Sequence, residues 1–334
     1  MEQKLLTNDN TKLVPKTSVE GSVLAFDFPA IHIGVAEYAE GPTGCTVFYF
    51  PEGATAAVDI RGGDCATMQT QHLEAGDRQI DAICFTGGSE YGFGAIAGVA
   101  DELLAMRGYS TAPWDLVLVP GAVIYDFPPR DNTIYPDAAL GRAALRAART
   151  GRFPLGARGT GCSAAVGIGF DFDQREQSGQ GGAFRQVGPT KIAVFTVVNA
   201  VGAIVNRQGR VVRGHLDRET GIRCHAIEDL ERRLANHEHF DEHKERHTTL
   251  TLLVTNQKLS PQSLRQVGKQ VHTSMARAIQ PFHTIYDGDV FFTVTTGEVE
   301  NLALSEIALG VLASELAWDA VLNCLMESDL PDSE

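Results

Sequence analysis

The ten residues His247-Thr248-Thr249-Leu250-Thr251-Leu252-Leu253-Val254-Thr255-Asn256 read as a strand that resumes an ordered body, since β-branched residues and leucines run together there without a charge. The residues before it differ sharply. From Glu228 to His247 acids, bases and four histidines crowd together with few apolar anchors, so this segment is expected to be exposed and mobile. A threonine that opens a strand just after such a segment is where a chain could be cut to free a nucleophile. A threonine hydroxyl is a poor nucleophile by itself. At a chain start, however, its own α-amine, with a reference pKa of about 7.7 to 8.0, can take the hydroxyl proton at neutral pH. Threonine is also simply common at strand starts, so Thr248 needs support from elsewhere in the chain.

Outward from this strand, Ser260-Pro261 reads as a helix start, and Leu264, Val267, Val271 and Met275 recur at three to four residues along one core-facing stripe. Val290 to Thr295 reads as a returning strand. Leu302 to Leu322 reads as a long apolar helix, broad enough to suggest burial at a subunit contact. Upstream, Thr46 to Phe50 and Ala56 to Ile60 read as two strands joined by Pro51-Glu52-Gly53. Ala82 to Phe85, Leu116 to Val119 and Ile192 to Val198 read as further buried strands. Helical spacing from Gly92 puts Ile96, Val99, Leu103 and Leu104 on one side of a helix ending near Arg107-Gly108, and a second helix is expected over 136–149. No period of 20 to 50 residues repeats. The pattern is one mixed α and β body.

Composition bounds the function. The chain has 334 residues, 43% of them hydrophobic, enough for a large core. Its 28 basic and 42 acidic residues leave a net charge of −14, which argues against nucleic acid and anionic membranes as partners. Six scattered cysteines without C-x-x-C spacing read as reduced thiols, and no stretch reads as a secretion signal or membrane span. A cytoplasmic protein with no cofactor is expected.

Four features compete as chemical sites. Asp287 and Asp289 flank Gly288, so in a strand both carboxylates would share one face, and two crowded acids raise each other's pKa. An Asp-Gly turn is the plainer use of the same residues. Thr86-Gly87-Gly88-Ser89-Glu90-Tyr91-Gly92 and Gly159-Thr160-Gly161-Cys162-Ser163-Ala164-Ala165-Val166-Gly167 are glycine-rich loops that let backbone amides approach a substrate. Neither fits a phosphate-loop or dinucleotide pattern. The first exceeds a nucleophile elbow by one residue, which leaves Ser89 a rival to Thr248. His239, His243 and His247 have the spacing of four that zinc ligands use on a helix, yet a charged processing loop explains them better, and no metal is expected.

Several motifs in order resemble one family. They are Ala57-Val58-Asp59-Ile60-Arg61-Gly62-Gly63, Thr86-Gly87-Gly88-Ser89, Val119-Pro120-Gly121-Ala122-Val123-Ile124-Tyr125-Asp126, Val198-Asn199-Ala200, and Ala276-Arg277-Ala278-Ile279 leading to His283-Thr284. From about Gly34 to its end the chain resembles the self-processing aminopeptidases and amidases, which include L-aminopeptidase/D-esterases, β-peptidyl aminopeptidases and 6-aminohexanoate (nylon) oligomer endohydrolases.

The resemblance implies an αββα sandwich of two mixed sheets between helix layers, formed by the whole chain and cut into 1–247 and 248–334. It implies Thr248 as nucleophile, Asp287 and Asp289 as the residues that orient it, Asn199 as an oxyanion donor, Tyr125 and the Gly87-Gly88-Ser89 loop at the substrate, and assembly into tetramers. The paired aspartates resemble the nylon hydrolases, since the aminopeptidases use serine and glutamate there. The implied activity is hydrolysis of linear aliphatic amides or of amino-terminal peptide bonds. Acyl transfer, as in the related ornithine acetyltransferases, and an uncut binding module are the alternatives. Two positions depart from the family: Ile168 stands where the nylon hydrolases carry lysine, and His247 precedes Thr248 in place of asparagine or glycine.

Overall fold

The computed structural model describes residues 5–18, 20–75, 78–128, 130–238 and 246–325. Its centre is one strand, Thr43–Ile60, long enough to serve two sheets. The first half pairs antiparallel with His32–Tyr38 on one side and Ile80–Thr86 on the other. The second half pairs antiparallel with Val290–Val299. The register breaks between Tyr49 and Ala54, where Gly53 takes φ +73°. Sequence reading placed a turn at Pro51-Glu52-Gly53 between two strands; the structure keeps the strand continuous and bends it there, since glycine absorbs the left-handed residue a bulge needs.

The first sheet continues from Ile80–Thr86 to Gly121–Val123 and Thr67–Met68. The second runs Gln180–Val187, Thr190–Val197, Leu250–Gln257 and Val290–Val299. Leu250–Gln257 lies antiparallel to Thr190–Val197 but parallel to Val290–Val299, so both sheets are mixed.

Alternation along the strands fills three layers. Phe48 and Phe85 of the first sheet meet Phe195, Leu252 and Phe292 of the second, with ring centroids 5.2 Å apart for Phe48 and Phe85 and 5.4 Å for Phe48 and Phe195. Helices α1 (Gln71–Ala75), α2 (Phe93–Met106) and α3 (Ala138–Arg146) come next in the chain, and α2 and α3 cover the outer face of the first sheet through Ile96, Val99, Leu103 and Leu140. Gly141 lets these two helices touch, since a Cβ there would stand 1.9 Å from the Ala95 carbonyl oxygen. After α4 (Ala226–Ala235), α5 (Pro261–Ser274) and α6 (Glu306–Leu322) cover the second sheet through Val267, Val271, Leu309 and Ala313. The αββα sandwich is the observed architecture.

Other expectations shift. Leu116 to Val119 is no strand: Leu118 gives its N–H to the Asp81 carboxylate and Val119 to the Gln69 side chain, so side chains take the bonds a ladder would use. The second helix is shorter than 136–149, capped at its start by Asp137, whose side chain accepts the Leu140 N–H. The last helix begins at Glu306, capped by Ser305. Glu228 to His247 is not one exposed run, because α4 occupies its first part. The Glu228 carboxylate accepts the His225 N–H at 2.8 Å, and Asp229 and Arg233 pair at 2.9 Å in buried positions. His239 and His243 lie outside the described residues. The apolar breadth of α6 serves its own sheet first, but Ile307 and Val311 stay exposed one turn apart.

Candidate active site

Strand register places the site. Leu250 pairs in parallel with Val290, and two residues upstream this sets Thr248 beside Gly288, between the two aspartates. On the other side Val197 pairs antiparallel with Leu250, and two residues on, Asn199 stands across from Thr248. The sequence-predicted residues from three distant segments therefore meet at the end of one strand.

Hydrogen bonds fix the His247–Thr248 peptide from both sides. His247 donates its N–H to the Tyr286 carbonyl at 2.9 Å, and its own carbonyl accepts the Gly288 N–H at 2.7 Å. Thr248 donates its N–H to the Asn199 carbonyl at 2.6 Å. Gly288 permits the approach: a Cβ there would lie 2.2 Å from the Asp64 carbonyl oxygen. Thr248 is only 4% exposed. Just upstream, Arg246 reaches Asp64 at 2.6 Å and Glu90 at 2.8 Å, straddling the entrance.

The two carboxylates differ in surroundings. Asp289 accepts the Thr249 N–H at 2.8 Å on one oxygen and meets His283 Nδ1 at 2.8 Å on the other. Asp287 accepts from the Val201 N–H at 3.1 Å and the Thr284 N–H at 2.8 Å. Burial, followed by the negative charge of Asp289, pushes the Asp287 carboxyl up to about 6 despite those donors. Asp287 is thus the acid whose charge this burial disfavours. Burial also pushes the His247 imidazole down to about 4, helped by the positive charge of Arg175, so the ring is neutral at pH 7. Neither ring nitrogen of His247 has a hydrogen-bond partner among the described residues.

The Asn199 side chain is oriented by its network. Oδ1 accepts the Ala165 N–H at 3.0 Å, and Nδ2 donates to the Tyr125 carbonyl at 3.2 Å. The Tyr125 ring packs 5.7 Å from Phe127 and lines a cleft of about 1130 Å³ with Ser89, Tyr91, Phe127, Tyr135 and Arg246. The cleft wall sets four aromatic rings among polar and charged side chains, and its Arg246 stands two residues before Thr248 in the chain.

Gly87 and Gly88 contribute differently from their expected use. Gly87 donates its N–H to the Gly44 carbonyl, Gly88 to Asp126 at 2.8 Å, and Ser89 to Ile124, so these amides are engaged inside the fold. Ser89 does face the cleft, with φ +51°, and its hydroxyl donates to Glu90. That hydroxyl is thus paired with a carboxylate and not with an imidazole. Ile168 is buried and brings no charge to its position. No cluster of three or more potential metal ligands occurs among the described residues. Sequence reasoning missed His283, Arg246 and the Gly288 amide. His283 stood within a quoted motif, but only the fold shows that it touches Asp289.

The model of peptidase family S58 matches residues 25–329. The chain belongs to peptidase family S58. It is 46% identical over 326 residues to the 6-aminohexanoate-oligomer endohydrolase of Paenarthrobacter ureafaciens, covering 94% of this chain and 89% of that relative. It is 45% identical over 325 residues to the enzyme of the same description from Kocuria sp. (strain KY2), covering 93% and 88%. Among solved structures, a β-aminopeptidase of Burkholderia sp. superposes with TM-score 0.62 at 18% identity, covering 92% of this chain and 88% of that one. The L-aminopeptidase D-Ala-esterase/amidase of Ochrobactrum anthropi, described as a variant of the Ntn hydrolase fold, gives TM-score 0.61 at 15% identity, covering 92% and 88%. As a member of this peptidase family the chain is an amide-bond hydrolase. No helix among its described residues is long and apolar enough to cross a membrane.

Proposed function

We propose that the chain cuts itself between His247 and Thr248, and that the freed Thr248 hydrolyses linear aliphatic amides of the 6-aminohexanoate-oligomer type. The observation that carries this reading is the scissile peptide itself. Its carbonyl oxygen takes the Gly288 N–H at 2.7 Å, and its nitrogen points its hydrogen to Asn199 at 2.6 Å, beside Asp287 and Asp289. In self-cleavage the Thr248 hydroxyl oxygen adds to the His247 carbonyl carbon. Its proton passes through Asp287 to the departing amide nitrogen, and the Gly288 amide faces the charge that grows on the carbonyl oxygen. The acyl group moves from nitrogen to oxygen. Water then hydrolyses the ester, leaving a carboxylate on His247 and an α-amine on Thr248.

That amine replaces the amide nitrogen that faces the Asn199 carbonyl, so it begins its work already oriented. It takes the Thr248 hydroxyl proton as the oxygen attacks the substrate carbonyl, and returns a proton to the leaving amine. One Nδ2 hydrogen of Asn199 is committed to Tyr125; the other supplies the oxyanion donor. Water releases the acyl group from the threonine ester. The aromatic walls at Tyr91, Tyr125, Phe127 and Tyr135 suit a flexible aliphatic chain passing between them. The nylon-oligomer substrate is supported by two relatives with that description.

Incubation with 6-aminohexanoate oligomers and with amino-acid p-nitroanilides tests the substrate class. Cleavage of the p-nitroanilides alone would overturn the oligomer reading. Exposed Leu302, Ile307 and Val311 around α6 support assembly into a homotetramer, to be checked by light scattering. The six free thiols support action in the reducing cytoplasm.

A further inference from the structure

A second histidine network lies behind the carboxylate pair. His283 Nδ1 meets Asp289 Oδ2 at 2.8 Å, and the ring stacks on Phe282 with centroids 3.9 Å apart. Its edge contacts His272 at 4.5 Å and 84° between planes. His272 is itself anchored to Asp59 at 2.9 Å, and Asp59 pairs with Arg61 at 2.7 Å. His283 takes φ +62°, a left-handed conformation that few side chains adopt, and this backbone aims the ring at Asp289. A carboxylate only accepts, so Nδ1 carries the proton of this bond. The charged and titratable groups packed here are Asp289 and His272 against the ring, Asp59 and Arg61 beyond His272, and Asp287 and Cys65 beyond Asp289. The Cys65 thiol is pushed up to about 12 by burial and by the acids near it.

We propose that His283 is a positioning residue: its Nδ1–H pins Asp289 as the fixed anion of the pair, which leaves Asp287 as the member that carries the proton. The argument rests on the self-cleavage reading above. Asp289 is held from two sides, by the Thr249 backbone next to the nucleophile and by His283, so its charge cannot wander and its position relative to Thr248 is set. The charge of Asp289 is one cause of the raised Asp287 carboxyl, so the ring that holds one acid also tunes the other. His283 never touches the reacting atoms. It acts through Asp289.

Two variants keep the unusual backbone while separating the donor from the ring, because asparagine and glycine both accept φ > 0. His283→Asn retains an N–H near the Nδ1 position; His283→Gly removes it. The self-cleavage rate of freshly made protein is followed across pH 4 to 9 by gel, with folding verified by urea unfolding. The expected result for His283→Gly is a loss of roughly 10- to 100-fold, as for a lost hydrogen bond to a charged group. Its acid limb should shift as well, since the donor that fixes the Asp289 carboxylate is gone. His283→Asn should restore both. An unchanged rate and limb in His283→Gly, or a His283→Asn protein that folds yet behaves as the glycine variant, would overturn the proposal.

Selective 15N-histidine labelling of uncut Thr248→Ala protein reads the tautomer without altering His283: Nδ1 protonated is expected, and Nδ1 unprotonated would overturn it. If wild-type protein never cuts at Thr248, the reading of function fails. If it cuts and His283→Gly cuts equally well, only the role of His283 fails.

Discussion

Replacing Asp287 by asparagine should abolish self-cleavage and yet leave the protein as stable or more stable at alkaline pH. The carboxyl stands at about 6 in the folded chain against an ordinary 3.8. At 1.36 kcal/mol per unit, that difference of about two units makes the ionised form unfavourable for folding by about 3 kcal/mol. The sign follows from proton counting. Between pH 3.8 and about 6 the folded chain holds a proton that the unfolded chain has released, so stability falls as pH rises through this window. Above about 6 the full penalty persists; below 3.8 it is gone.

Asparagine carries no charge and escapes the penalty. Its Oδ1 still accepts the Val201 N–H, but its amide nitrogen then faces the Thr284 N–H, at a cost of about 1 to 3 kcal/mol for a buried group left unpaired. The net effect at pH 8 is therefore between no change and a gain of about 2 kcal/mol, together with a flatter pH dependence between 4 and 6. Urea unfolding of Thr248→Ala and Thr248→Ala/Asp287→Asn, both uncut and at equal protein concentration, measures the difference at pH 4, 6 and 8. A double variant destabilised by several kcal/mol at pH 8, with the same pH slope as its parent, would refute the assignment of Asp287 as the strained acid.

Other outcomes follow from the same geometry. Asn199→Ala removes the proposed oxyanion donor and should reduce amide hydrolysis by about 10²- to 10³-fold in kcat, measured on protein confirmed to be cut; a rise in KM alone would reassign Asn199 to binding. Gly288→Ala drives a Cβ to within 2.2 Å of the Asp64 carbonyl and should block self-cleavage, seen as a single band on gels. Arg246→Ala breaks two half-exposed ion pairs and should change stability by less than about 1 kcal/mol, read from the urea midpoint. Added primary amines should not appear in the product, since water is the acceptor; an acylated amine by mass spectrometry would support acyl transfer instead.

Much of the sandwich was legible because its strands alternate or run apolar in short bounded stretches. Thr248 to Asn256 and Val290 to Thr295 read as strands by composition, where the structure has Leu250–Gln257 and Val290–Val299, and the Ser260-Pro261 cap marked α5. The bend at Gly53 was not legible as such, because proline and glycine signal a turn and a bulge alike. The helix α4 was hidden by charge: its buried Asp229 and Arg233 satisfy each other, a pairing that composition does not reveal. In the site, Thr248, Asp287, Asp289 and Asn199 were chosen from sequence, and strand register gives the geometric reason they meet. Backbone donors such as the Gly288 amide have no side chain to advertise them. The use of the Gly87 and Gly88 amides within the fold likewise depends on contacts with Gly44 and Asp126, which lie far away in sequence.

Amino-terminal sequencing combined with intact mass of freshly purified protein tests self-cleavage at Thr248 most directly. Two chains are expected, the smaller beginning Thr-Thr-Leu-Thr-Leu at Thr248 and absent from Thr248→Ala protein. A single uncut chain that still hydrolyses amides would contradict it.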